Sequence, residues 1–102
     1  MTTPEIKVFK EAGAFAENKD IAKRLREEIV IPALREGRQV VIDFEGVSGV
    51  TQSFIHALVS ESIRQFRGFA LENLVFKNCN AELNAVIRIV FAYMQESIGP
   101  LD

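Results

Sequence analysis

A chain of 102 residues, 48% hydrophobic and 25% charged, has the size of one domain and enough apolar content to build a small core without metal or disulfide. Twelve Lys and Arg against fourteen Asp and Glu leave a net charge of −2 with the basic residues scattered, which argues against nucleic acid as a partner. The single cysteine, Cys79, cannot pair within the chain, and neither a basic-then-apolar leader nor a run near the roughly 18 apolar residues of a membrane span is present, so a soluble, cytoplasmic protein is expected.

Residues Glu5 to Phe9 alternate polar and apolar, which predicts a half-buried strand, and Gly13 closes the irregular stretch behind it. Asn18 is a plausible N-cap for a helix whose buried stripe is Ile21, Leu25 and Ile29, with Lys19, Lys23, Arg24, Arg26 and Glu27 on its other faces. Pro32 falls inside that pattern. It removes a backbone donor and crowds the preceding turn, so a kink or break is expected there, with a stop at Gly37. Val40, Val41 and Ile42 lead into Asp43 and Phe44 as a short apolar run, the pattern of a central strand covered on both faces.

Phe54, Ile55, Leu58, Val59, Ile63 and Phe66 mark a second helix ending at Gly68, with His56, Ser60 and Arg64 spaced by four along its polar side. Leu74 to Phe76 read as a third strand. Asn78, Cys79 and Asn80 turn the chain into a third helix from about Ala81 to Ser97, terminated by Gly99 and Pro100. The alternation of strand and helix predicts an α/β domain with right-handed crossovers. The last helix is apolar over more than one stripe: Leu83, Val86, Ile87, Val90 and Met94 suffice for a core, and Ile89, Phe91, Ala92 and Tyr93 widen the arc. Either that helix is deeply buried, or Ile89, Phe91 and Tyr93 form a homodimer or partner surface.

Four places invite a chemical reading. Asp43 and Glu45 flank Phe44 near the carboxyl end of a strand, where two carboxylates could hold a metal or do acid–base work, although a structural Asp43 and a solvated Glu45 account for them more simply. His56 and Cys79 are 23 positions apart with nothing beside either to suggest a nucleophile pair. Gly46 and Gly49 lack the lysine of a phosphate-binding loop. Thr51 and Ser53 lie where the second helix opens, so either hydroxyl can cap it, an effect of about 1 kcal/mol. The same place accommodates an added phosphate, because helix N-termini carry free amides and partial positive charge. A serine there is a workable switch.

The run "VVIDFEGVSGVTQSFIHAL", with "IAKRLREEIVIPALREG" before it and "LVFKNCN" after it, resembles the STAS-like domains, a compact bacterial branch related to the anti-sigma factor antagonists. In those antagonists the strand leads to Asp-Ser-Ser-Gly at the start of the second helix, and the second serine is phosphorylated by a histidine-kinase-like ATPase. The resemblance places Thr51 at the aspartate, Gln52 at the first serine, Ser53 at the phosphoacceptor and Phe54 at the glycine; only Ser53 matches by type. It implies a STAS-like α/β fold with a mixed sheet of about four strands, one drawn from residues 11 to 16, and three helices largely on one side. It also implies a non-enzymatic signalling module without cofactor or metal. Its protein partner, a histidine-kinase-like ATPase among the candidates, would dock on the 45–56 loop through Glu45, Thr51, Gln52, His56, Ser60 and Arg64. A phosphate on Ser53 would then oppose that contact beside Glu45. A constitutive homodimer built on the third helix is the alternative.

Overall fold

The computed structural model describes residues 3–98. In chain order its elements are β1 (Glu5–Lys7), α1 (Val8–Ala12), β2 (Phe15–Ala16), α2 (Lys19–Leu25), a π-helical turn (Arg26–Val30), α3 (Ile31–Arg35), β3 (Val40–Asp43), β4 (Gly49–Val50), α4 (Gln52–Phe66), α5 (Gly68–Asn73), β5 (Leu74–Lys77) and α6 (Ala81–Ile98).

The β-branched run at 40–42 makes the central strand. β3 lies between β1 and β5, both parallel to it, with Ile6 opposite Ile42 and Ile42 opposite Phe76. Val40 and Ile42 are fully buried, but Val41, beside exposed Glu5 and half-buried Val75 on the other face, is half-buried, so the strand expected to be covered on both faces is sealed on one. β2 and β4 form a separate parallel pair, Phe15 with Gly49 and Ala16 with Val50. The expected single mixed sheet of four strands is therefore two small sheets, and every described pairing is parallel. The segment proposed as a fourth strand contributes only Phe15 and Ala16, and these pair outside the main sheet.

Local chemistry explains the other departures. The strand expected over Glu5 to Phe9 stops at Lys7, because Val8 turns inward as the first residue of α1 while Phe9 lies over Gly46. A Cβ on Gly46, whose φ is +88°, would sit 3.1 Å from the Phe9 ring, so the loop needs glycine for both backbone and space. Pro32 cannot donate to the carbonyl four residues back. The helix widens just before it, with the Ile31 amide bonding the Arg26 carbonyl five residues earlier, and then resumes as α3. The predicted break is a π-turn. Gly37 follows with φ +78°, and its amide bonds the Leu34 carbonyl. Gly68, expected to end the second helix, opens α5 instead, the reversal being carried by Arg67 at φ +49°. Three helices thus understate the helical content, because the π-turn subdivides one and α1 and α5 are additional.

The core is continuous. Ile6, Val8, Leu25, Ile42 and Phe44 pack with Phe54, Ile55, Leu58 and Ile63 of α4 and with Leu83 and Met94 of α6. α4 is the central helix, packed against both α2 and α6. Gly99 and Pro100, the expected stop of the last helix, lie outside the described residues. Among the described residues no helix is long and apolar enough to cross a membrane.

Candidate functional site

Thr51 and Ser53 do different things. Thr51 is the N-cap of α4, with extended backbone, and its Oγ1 accepts from the Phe54 amide at 3.1 Å. Ser53 lies in the first turn, exposed, while Phe54 beside it is fully buried and pins the turn to the core. The helix tip is therefore capped without Ser53, and the serine hydroxyl is accessible.

Ser53 opens onto a cavity of about 540 Å³ lined by three helices. α2 and the π-turn contribute Lys19, Lys23 and Arg26, spaced by four and three so that they share one helical face. α4 contributes Gln52, Ser53, His56, Ala57 and Ser60, and α6 contributes Ile89, Val90 and Tyr93. Three cations and no carboxylate are among these lining residues. Arg26 ties the walls together, since its Nη1 donates to the Ala57 carbonyl at 3.4 Å while its Nε pairs with Glu27 at 3.0 Å. Ile89 and Tyr93 are 50% and 62% exposed, which leaves an apolar rim facing the cationic side.

This arrangement divides the residues proposed for partner contact. Gln52, Ser53, His56 and Ser60 come together around the cavity, and Ser60 is buried, so it belongs to the cavity wall and not to a solvated stripe. Arg64 is exposed farther along α4, where it pairs with Glu61 at 3.4 Å. Glu45 is exposed on the loop after β3 and does not line the cavity. The α6 set divides as well. Phe91, half-buried, packs edge-on against Phe76 with ring centroids 5.7 Å apart, whereas Ile89 and Tyr93 share the cavity rim. The cationic stripe was missed in the sequence because Lys19, Lys23 and Arg26 read as an ordinary solvated face. The 4–3 spacing was visible there; what α2 packs beside was not.

The carboxyl edge of the main sheet holds a second polar cluster. Asp43 is buried, and its Oδ1 accepts from Asn78 Nδ2 at 2.8 Å and from the Glu45 amide at 3.0 Å, while Oδ2 pairs with Lys7 Nζ at 3.1 Å. These bonds, that from Asn78 foremost, hold its carboxyl down at about 2. Lys7 is correspondingly raised by Asp43 and Glu5. Glu5 also pairs with Lys77 at 3.2 Å, so the edge is a closed ionic row. With its lone pairs committed, Asp43 is a loop-fastening residue, and Glu45 is a separate exposed carboxylate. Among the described residues no group of three or more His, Cys, Asp and Glu is placed to hold a metal. Cys79 follows on the Asn78 turn, where burial and then Asp43 push its thiol up and away from the reactive thiolate; His56 lies instead in the cavity wall.

No curated protein and no solved structure matches the chain. A family model does, across residues 22–84, a span that contains Lys23, Arg26, β3, the whole of α4 and the first turn of α6. Lys19 and the α6 rim of the cavity lie beyond it. That family is described as a STAS-like domain of unknown function (DUF4325), and the chain belongs to it.

Proposed function

We propose that the protein is a non-enzymatic signalling module that binds a protein partner at the mouth of the α2–α4–α6 cavity and is switched by phosphorylation of Ser53. The observation that carries this reading is the division of labour at the start of α4: Thr51 makes the cap, and Ser53 stays exposed beside three cations. A partner ATPase of the histidine-kinase-like type, suggested by the likeness to anti-sigma factor antagonists, would supply the phosphate. The Ser53 oxygen would take the terminal phosphoryl group of ATP, releasing ADP and a proton.

The surroundings of Ser53 set the electrostatics of the switch. A phosphate brings about −1.5 to −2 charges at neutral pH. It would enter a cationic cavity and be drawn toward Lys19, Lys23 and the amides of the first turn, instead of meeting Glu45. The phosphate would offset about two of the three positive charges at the mouth, and a partner attracted by the unmodified surface would lose most of that attraction. Binding assays against the candidate ATPase test this: Ser53→Ala should bind like the unmodified parent, and Ser53→Asp should bind more weakly. Equal binding by both variants would count against the switch.

A second reading rests on Ile89 and Tyr93, two large apolar side chains exposed side by side on α6. They suit a constitutive homodimer or assembly subunit in which Ser53 has no role. Light scattering separates the two readings. A dimer that Tyr93→Glu converts to monomer favours assembly, and a parent that is monomeric throughout favours the switch.

A further inference from the structure

The cavity has features that a phosphoacceptor serine does not need. An exposed serine alone requires only access, yet Ser53 faces a concave site of about 540 Å³, within the roughly 300–1,000 Å³ range typical of small-molecule pockets. Its charge is one-sided: no carboxylate lines it, and although Arg26 pairs with Glu27 outside the lining, Lys19 and Lys23 add two more cations in a chain that is net acidic. Ser60, 4% exposed, adds a hydroxyl to the cavity wall. The opposite wall, Ile89 and Tyr93, is apolar and aromatic.

We propose that this cavity binds a small organic phosphate monoester, the phosphate held between Lys19, Lys23, Arg26 and the start of α4, and the organic body lying against Ile89 and Tyr93. Two lysines, an arginine already paired with Glu27 and a helix start provide more positive charge than a single carboxylate needs, which points to a dianion. The apolar rim points to a ligand with a body and not to inorganic phosphate alone. The site does not depend on Ser53 being modified. It does place the ligand over that serine, so an occupied cavity would shield Ser53, and a phosphorylated Ser53 would fill the cationic side from within.

Titration of the full, unmodified chain with phenyl phosphate, followed through backbone amide resonances, tests the proposal, with inorganic phosphate and phenol as parallel arms. Saturable shifts confined to residues 19–26, 52–60 and 89–93 are expected, with phenyl phosphate binding more tightly than either parallel probe. The double variant Lys19→Ala/Lys23→Ala, which alters only exposed side chains, should weaken phenyl phosphate by at least about tenfold, the loss of a charge-assisted contact. Tyr93→Ala should weaken phenyl phosphate and leave inorganic phosphate unchanged. Ser53→Ala should still bind, which separates the outcome from that of the switch. The proposal is overturned by an absence of saturable binding, by phenol binding as well as phenyl phosphate, or by lysine substitutions that leave the affinity unaltered.

Discussion

Two positions separate Thr51 from Ser53, and the geometry of a first helical turn decides which one caps. The N-cap residue has extended backbone and turns its oxygen back over the amide three residues on, as Thr51 does to Phe54; a residue inside the turn has helical backbone and points outward, as Ser53 does. Thr51→Ala should therefore cost about 1 kcal/mol of stability, and Ser53→Ala should stay within about 0.5 kcal/mol, both read from urea unfolding midpoints. Asp43 carries a pH signature. Its folded carboxyl is held at about 2 against an ordinary 3.8, so its contribution to stability is complete above about pH 4 and is lost as pH falls toward 2. Asp43→Asn should be less stable than the parent at neutral pH, and the gap should narrow through that window in acid unfolding curves. These two roles were only partly legible in the sequence. The hydroxyl cluster and the structural Asp43 could be anticipated from position, whereas Lys7 and Asn78, 36 and 35 residues away from Asp43, are brought to it only by the parallel register.

Elements with a strong periodic or β-branched pattern were readable, and those set by a neighbour were not. β3 followed from Val40–Ile42, and α2 from the Asn18 cap, whose side chain accepts the Asp20 and Ile21 amides. The helix interruption at Pro32 was foreseeable from the missing donor, but its form, a π-turn closed by Ile31 on Arg26, depends on how α2 and α3 pack on α4. The short β2–β4 pair has no periodicity to read, because two residues per strand carry none. Gly37 tests the end of this helical segment. A Cβ there would meet nothing within 4 Å, so only its positive φ resists substitution. Gly37→Ala should lower stability by about 1 kcal/mol and Gly37→Asn by less, since asparagine tolerates the left-handed region; thermal or urea unfolding would show the order.

At the scale of the whole molecule, charge is sorted in a way its total conceals. The net charge of −2 and the scattered basic residues argue against a large anionic partner, yet folding gathers Lys19, Lys23 and Arg26 opposite the start of α4 while Glu5, Lys7, Asp43 and Lys77 close on one another at the sheet edge. The sheet-edge row is balanced, two carboxylates against two ammonium groups, whereas no carboxylate lines the cavity. That sorting joins the STAS-like fold to the proposed switch, because a phosphate on Ser53 would offset most of the positive charge around it. Phosphosite mapping by mass spectrometry, on the protein isolated from its own cells under several growth conditions, tests this most directly. The account predicts phosphate on Ser53 in at least one condition and none on Thr51. Complete coverage of the 51–64 region with Ser53 unmodified in every condition would contradict it.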